Sequence, residues 1–315
     1  MATTSPAPDA DFTQLLRGPS WAGWKPAVAL PIAALVMLVL GGIALPIAAL
    51  FEPDGFLAAM RSYGSDTPPA TVPFLVALNL SLAAGIPVVW FCVRVFHRLP
   101  IGWASSVVGR LRWGLLLRFA GVAVATLAVT LVVSAFLPVT GTLGSESDGA
   151  SSSDAVGASV LALGVALLLT TPLQATGEEY IFRGYLMQAL GGWARNPAFA
   201  IVLSAAAFAA VHGPQNLPLL ADRFAFGIVA GIAVLVTGGL EAAIAMHVLN
   251  NLFALGIALV TGSITESLTA TEASWWNLPV TLVQSTVFLA LVIWVARRYE
   301  PATRTPALVT QPATV

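Results

Sequence analysis

The chain has 315 residues, of which 57% are hydrophobic and only 9% are charged. Soluble domains carry about 25% charged residues, so this composition excludes a water-soluble globular protein and predicts a polytopic membrane protein. The 14 basic and 15 acidic residues leave a net charge of −1, without the basic surface that binding to nucleic acid requires. Nucleic acid is therefore excluded as a partner, and the single cysteine, Cys92, excludes an intrachain disulfide.

Eight apolar stretches approach the length of about 20 residues that a helix needs to cross a bilayer. They cover residues 27–51, 73–96, 114–137, 156–177, 197–212, 224–237, 240–261 and 277–296. The fifth and sixth are short, and the fourth is predicted to continue past Glu179 to about Gly191 as an amphipathic extension. The predicted fold class is all-α, a polytopic membrane helix bundle of about eight transmembrane helices.

The positions of the arginines predict the domain layout and the orientation. Basic side chains lie beside the second and fourth connections and after the last span, whereas the connections at 138–155 and 262–273 contain no Lys or Arg. The positive-inside rule places the arginine-bearing side in the cytoplasm. We therefore predict a polar cytoplasmic tail at 1–22, a transmembrane domain at 23–298 and a cytoplasmic tail at 299–315, in a bacterial-type plasma membrane with both termini cytoplasmic.

Ionisable residues at the end of the fourth apolar stretch are the strongest functional signal, because such groups are costly in lipid and mark functional sites. Glu179 and Arg183 are four residues apart, so on a helix they share a face and can form an ion pair. Glu178 points about 100° away and, in an apolar setting, is suited to act as a general base. The alternative is a solvated carboxylate pair at a helix end, with Glu179 and Arg183 purely structural.

Two later apolar stretches contain polar groups at helical spacing. Phe208 precedes His212 by one turn where the fifth span ends, and His247 and Asn251 share one face of the seventh. A histidine there can carry protons or bind a metal, and an inward asparagine can donate to an oxyanion. The alternatives are a capping or interfacial histidine and an interhelical hydrogen bond from the asparagine. We assign Asn250 no role and expect it to point elsewhere.

Together these residues resemble the CPBP family of intramembrane proteases, also called Abi, which includes type II CAAX prenyl endopeptidases and bacteriocin-processing proteins. Three motifs occur in order: EExxxR at 178–183, FxxxH at 208–212 and HxxxN at 247–251. The similar core covers about residues 156–262. The resemblance implies an integral-membrane endopeptidase that hydrolyses peptide bonds in or near the bilayer, with a peptide or a membrane protein as substrate.

The resemblance also implies roles for the motif residues. Glu178 would activate a water molecule with the help of His212, while His247 and Asn251 would stabilise the oxyanion. Glu179, Arg183 and Phe208 would support the site. The cofactor is unknown: Glu178, His212 and His247 could hold one divalent metal such as zinc with an open position for water, and a metal-free mechanism uses the same residues.

Two other functions stay open. An intramembrane glutamate pair with two histidines could carry protons in a proton-coupled transporter. The same scaffold could also serve as a non-catalytic partner or a bacteriocin self-immunity protein. A polar run at Thr170, Thr171, Gln174 and Thr176, which leads to Glu178, is expected to line a wet cavity and favours hydrolysis.

Overall fold

The computed structural model describes residues 5–51, 71–136, 156–268 and 270–307. Over these ranges the protein is a helix bundle without β-strands, in agreement with the predicted all-α class. The predicted external connection at 138–155 and the far ends of both tails, 1–4 and 308–315, lie outside the described residues.

Eleven α-helices are defined over the described ranges, and a short π-helical segment, Tyr180–Leu186, joins α5 to α6. The helices are α1 Trp24–Phe51, α2 Val72–Ala83, α3 Gly85–Val95, α4 Trp113–Ser134, α5 Val156–Glu179, α6 Met187–Ala194, α7 Pro197–Ala210, α8 Leu217–Thr237, α9 Glu241–Val260, α10 Ile264–Leu268 and α11 Asn277–Tyr299.

All eight predicted apolar stretches are helical, and seven of the resulting helical spans in the described residues are long and apolar enough to cross a membrane. The exception is α7, whose 14 residues reach only about 21 Å at 1.5 Å per residue, less than the roughly 30 Å hydrocarbon core. The second span is interrupted at Ala84, between α2 and α3. The protein is an integral membrane protein with a bundle close to the predicted size.

Two predicted boundaries differ from the structure. The sixth span begins at Leu217 instead of 224, because Asn216 caps the helix and Pro218 follows in its first turn; the charges of Asp222 and Arg223 hide this start in the hydropathy pattern. The fourth span continues to Ala194, and its extension is largely buried instead of amphipathic, since the N-terminal segment packs against α6.

Helix α9 lies near the centre of the bundle, where it packs against α4, α5 and α8. Helix α5 also packs against α2, and α8 packs against α7 and α11. The polar residues of α5 and α9 therefore face each other inside the protein. This arrangement places the first and third motifs in contact.

A close helix crossing holds α5 against the junction of α2 and α3 directly before the glutamate pair. A Cβ atom added at Gly177 would lie 2.3 Å from the carbonyl oxygen of Leu82 and 2.9 Å from the Cα of Ala83. A Cβ atom added at Gly85, on the other side of the crossing, would lie 2.9 Å from the carbonyl oxygen of Gly177. Only glycine allows these backbones to approach so far, as at small-residue crossings of other membrane helices.

We expect Gly177→Ala to destabilise the protein, because the added methyl group meets backbone atoms that cannot rotate away. Overpacking of this kind costs about 1–3 kcal/mol, measurable as a lower thermal unfolding midpoint in detergent micelles. Gly121→Ala in α4 is the matched control, since nothing lies within 4 Å of its added Cβ. Equal midpoints for the two variants would contradict the close crossing.

The predicted N-terminal tail is packed against the bundle over its described part. Phe12, Leu15 and Leu16 are buried, and Gln14 donates a 3.0 Å hydrogen bond to the carbonyl oxygen of Gly191 in α6. The C-terminal segment joins it: the amide of Ala10 donates to Thr305 Oγ1 at 2.9 Å. The two segments thus lie on the same side of the helix bundle.

A buried ion pair fixes the start of α9. Glu241 is fully buried and accepts hydrogen bonds from Arg112 Nε at 2.9 Å and Nη2 at 2.7 Å. The same guanidinium also donates to the carbonyl oxygens of Thr237 and Ala302. The pair therefore links the segment before α4 to the turn between α8 and α9.

His97 is a fully buried imidazole beneath the N-terminal segment. Its Nε2 lies 3.0 Å from the hydroxyl of Tyr185, and its ring stacks on Trp21 with 6.3 Å between centroids. Burial, together with the nearby charge of Lys25, lowers the pKa of His97 from 6.5 to about 4. The folded protein therefore holds this histidine neutral at neutral pH.

We expect His97 to make stability depend on pH below 6.5. Between pH 6.5 and about 4 the unfolded chain binds a proton at this position and the folded protein does not, so the free energy of unfolding falls as the pH is lowered through this window. The loss would be a few kcal/mol at most. Thermal unfolding as a function of pH should give a steeper decline for the wild type than for His97→Gln, and identical profiles would contradict the assignment.

Candidate active site

The last turn of helix α5 carries both motif glutamates, and it lies inside the bundle. Glu179 is fully buried and Glu178 is 8% exposed. The chain then continues as the π-helical segment Tyr180–Leu186 without leaving the helix axis. Such π-helical turns are rare and occur frequently at functional sites, where the extra residue re-aims side chains. Nothing in the apolar periodicity of the sequence indicates this segment.

His247 lies between the two glutamates. Its Nδ1 is 2.8 Å from Glu179 Oε1, and its Nε2 is 3.3 Å from Glu178 Oε2. One imidazole from α9 therefore contacts both carboxylates from α5. Sequence spacing places Glu178 and Glu179 on different faces of α5, and only the packing of α9 against α5 brings a single ring within reach of both.

The hydrogen-bond geometry determines where the protons are. Glu179 Oε1 also accepts from Arg183 Nη1 at 3.0 Å, so Glu179 is the ionised partner and His247 Nδ1 carries a hydrogen that it donates. The contact between His247 Nε2 and Glu178 Oε2 then needs one further proton, which the two groups share. With this proton, the side chains of Glu178, Glu179, Arg183 and His247 together carry no net charge, which favours their burial in a bundle.

The ion pair predicted from the spacing of Glu179 and Arg183 is present and fully buried. Arg183 also donates to the carbonyl oxygen of Gly227 in α8 at 3.3 Å, and its guanidinium carbon lies 4.6 Å from the ring centroid of Phe208. Arg183 therefore ties α5 to α7 and α8. Glu179, Arg183 and Phe208 are thus in contact with one another, and their supporting role in the site stays a prediction.

Phe208 connects the histidines. Its ring packs edge-on against His212 and His247, with centroid distances of 4.9 and 5.8 Å. The ring of Phe226 covers His247 from another side at 5.1 Å. These contacts restrict the orientation of both imidazoles.

His212 lies in the turn after α7, where Gly213 adopts a positive φ of 81° and Asn216 caps the next helix. The carbonyl oxygen of Phe208 accepts a 2.7 Å hydrogen bond from His212 Nδ1. Because a carbonyl can only accept, Nδ1 carries the hydrogen and Nε2 retains a lone pair. His212 is thus set to accept a proton or a hydrogen bond at Nε2.

A cavity of about 490 Å³ lies beside these residues and is lined by Glu178, His212, His247 and Asn251. Asn251 donates from Nδ2 to Gln174 Oε1 at 3.2 Å, which leaves the second hydrogen of its amide available. The structure therefore brings all four predicted catalytic residues to one cavity. Its volume is in the range of about 300–1,000 Å³ typical of ligand sites.

The polar run before Glu178 only partly lines this cavity. Gln174 does so, as predicted. Thr170 and Thr171 instead accept hydrogen bonds from Asn79 of α2, and Thr176 donates to the carbonyl oxygen of Pro172. Thr170 and Thr171 thus face α2, which covers that side of α5, whereas the hydrogen bond of Thr176 lies within α5.

Further polar residues line the cavity from the opposite side, and the motifs do not indicate them. They are Asp222, Arg223, Asn250, Thr281 and Gln284. The expectation that Asn250 points elsewhere is wrong: it lines the cavity and accepts from Gln284 Nε2 at 2.9 Å. The sequence signal that could have identified them is the presence of charged and amide side chains within the apolar helices α8 and α11.

The predicted metal ligands do not form a metal-binding group here. Among the described residues no three His, Cys, Asp or Glu side chains are placed to hold a metal ion. Both nitrogens of His247 face carboxylates of the protein, so this imidazole has no lone pair directed at an ion. The need for a divalent metal stays a prediction, and no step proposed below passes through one.

Comparisons with known proteins agree with the motifs. Residues 159–253 match the family model described as Type II CAAX prenyl endopeptidase Rce1-like. The chain is also 27% identical over 221 residues to a Bacillus subtilis (strain 168) protein described as "Uncharacterized protein YyaK", an alignment that covers 66% of this chain and 71% of that protein. No solved structure matches.

The matched stretch contains all three motifs and the helices that carry them, α5 to α9. At the level of the family, this match supports a membrane endopeptidase with peptide substrates. The resemblance predicted from the motifs is confirmed at this level. Through residues 159–253, the chain is similar to the Rce1-like type II CAAX prenyl endopeptidases.

Proposed function

We propose that the protein hydrolyses a peptide bond of a substrate that enters the cavity beside α5 and α9. The observation that carries this proposal is the contact between Glu178 and His247, 3.3 Å apart, in a cavity that His212 and Asn251 also line. The contact joins a general base to a group that can hold its proton. Together with the family match, it favours peptide hydrolysis over proton-coupled transport or a non-catalytic role.

In the proposed reaction Glu178 is the general base. When the shared proton is on His247, Glu178 is a carboxylate that can remove a proton from a water molecule as the water oxygen bonds to the scissile carbonyl carbon. The lone pair on His212 Nε2 accepts the second water hydrogen and orients the molecule. The carbon–nitrogen bond then breaks, and Glu178 returns the proton to the leaving amine.

The oxyanion formed in the first step needs a hydrogen-bond donor. The free N–H of Asn251 is available for this role, since its partner N–H is directed to Gln174. Because His247 contacts both glutamates, we assign it a role other than oxyanion binding. His247 positions Glu178 and shares a proton with it. Water reaches the site through the polar side of the cavity at Gln174 and Asn251.

Mass spectrometry of a diverse peptide library tests this function. The library is incubated with the wild-type protein reconstituted in lipid vesicles and, in parallel, with Glu178→Ala. We expect new peptide termini only with the wild type, and those termini report the sequence preference. Identical products with both proteins, each shown to be folded, would reject the proposal, and pH-gradient-driven flux in the same vesicles would then favour a transporter.

A further inference from the structure

The cavity has a second polar side formed by α8 and α11. Asp222 and Arg223 lie on α8, and Thr281 and Gln284 lie on α11. The hydroxyl of Thr281 donates to Asp222, and Gln284 donates to Asn250. Helix α11 lies beyond the stretch that matches the family model. Asp222 and Arg223, by contrast, lie within that stretch.

Arg223 differs from the two arginines that are buried in the bundle. Arg112 and Arg183 each bind a carboxylate of the protein, Glu241 and Glu179 respectively. Arg223 is partly exposed and lines the cavity. Among the described residues it forms no ion pair within 4.0 Å, and its Nη1 donates to Gln215 Oε1 at 2.7 Å. The charges of Asp222 and Glu178 lie close enough to act on Arg223, but among the described residues neither carboxylate forms a hydrogen bond with its guanidinium.

The neighbouring carboxylate of Asp222 acts on Arg223 only through its charge, without an ion pair within 4.0 Å among the described residues. One Asp222 oxygen accepts from Thr281 on α11, and adjacent residues on a helix point about 100° apart. Only one nitrogen of the Arg223 guanidinium has a recorded partner among the described residues. Within the described part of the chain, four of its five N–H donors therefore have no hydrogen-bond partner, and this planar fork matches a carboxylate in a bidentate geometry.

Arg223 is also held in place with respect to the catalytic residues. Its partner Gln215 donates to the carbonyl oxygen of Ala209 at 2.7 Å, which anchors the turn that carries His212. The guanidinium, His212 and Glu178 line the same cavity. A carboxylate bound at Arg223 would therefore set the position of a substrate carbonyl beside Glu178.

We propose that Arg223 is a specificity-determining residue that binds a carboxylate of the substrate close to the scissile bond. This inference rests on the proposed endopeptidase function and names a class of substrate for it. The carboxylate is either the C-terminal α-carboxylate or an acidic side chain, since both present the same two oxygens. Substrates that carry this group within reach of the cavity are cleaved in preference to neutral ones.

The test uses one apolar, fluorescent peptide in three forms. The first ends in a free α-carboxylate, the second in a carboxamide, and the third is the carboxamide with one internal glutamate. A sequence that the wild type cleaves in the library is used where there is one, and otherwise an alanine- and leucine-rich peptide. Cleavage is measured with the wild type, Arg223→Gln, Arg223→Lys and, as a control, Arg298→Gln, whose side chain is exposed on α11.

We expect Arg223→Gln to lower kcat/KM by about 10–100-fold for a carboxylate form, the range of a charge-assisted hydrogen bond. The loss should be in KM, should be absent for the carboxamide, and should be partly restored in Arg223→Lys. Loss on the first form alone identifies the α-carboxylate, and loss on the third form identifies an acidic side chain. Arg298→Gln should behave as the wild type.

Equal losses on all three forms would overturn the proposal, because they would show that Arg223 acts in the reaction step or only holds the His212 turn. Unchanged cleavage of all three forms by Arg223→Gln would also overturn it. Binding of the same peptides to Glu178→Gln and to Glu178→Gln/Arg223→Gln separates the two proposals. If the two proteins differ in Kd only for carboxylate peptides and the wild type cleaves none of them, the endopeptidase function is rejected and the carboxylate site at Arg223 is retained. If the two proteins have the same Kd, the carboxylate site is rejected.

Discussion

Replacing Glu178 by glutamine is expected to lower the rate of peptide cleavage by at least about 10²–10⁴-fold, the usual contribution of a general base. Glutamine keeps the size of the side chain and its place beside His247, but it cannot take a proton from water. The measurement is kcat for a peptide found in the library, with purified protein in lipid vesicles. Removing the imidazole in His212→Ala should also abolish cleavage, because the attacking water loses its second acceptor.

The control for this substitution is Glu272→Gln, which makes the same chemical change at an exposed position far along the chain from the motifs. It should leave kcat unchanged. The thermal unfolding midpoint of Glu178→Gln should stay close to that of the wild type, since the contact with His247 can persist as a neutral hydrogen bond. Full activity of folded Glu178→Gln would refute the assignment of the base.

The second large effect is expected at Glu179, and it concerns stability. Glu179→Ala leaves the guanidinium of Arg183 fully buried without its carboxylate, and breaking a buried pair from one side costs about 3–5 kcal/mol. It also removes the acceptor of His247 Nδ1, so activity should fall together with stability. The measurement is the unfolding midpoint in detergent micelles.

A double variant separates the unpaired charge from the loss of packing. Glu179→Ala/Arg183→Met removes the cation as well, so it should recover part of the stability that Glu179→Ala loses. Glu266→Ala, at an exposed glutamate of α10, is the control and should change the free energy of unfolding by less than about 0.5 kcal/mol. If Glu179→Ala were as stable as this control, the buried pair would not stabilise the bundle.

Composition and local spacing were sufficient to predict the class of protein and to identify the candidate residues of the site. Long apolar stretches can cross a membrane only as helices or closed barrels, because backbone polar groups have no partners in lipid. For the same reason Glu178, Glu179, Arg183 and His247 were conspicuous. The i,i+4 spacing predicted the ion pair of Glu179 and Arg183, since helix geometry alone places those side chains together.

Contacts between helices could not be predicted from the sequence. Which carboxylate His247 contacts depends on how α9 packs against α5, and in the structure it contacts both. These contacts change the role that we propose for His247, and they leave neither of its ring nitrogens directed at a metal. The π-helical turn after Glu179 and the cavity-lining position of Asn250 and Arg223 likewise follow from packing. Periodicity states which face of a helix a residue occupies, but only the tertiary structure decides what that face meets.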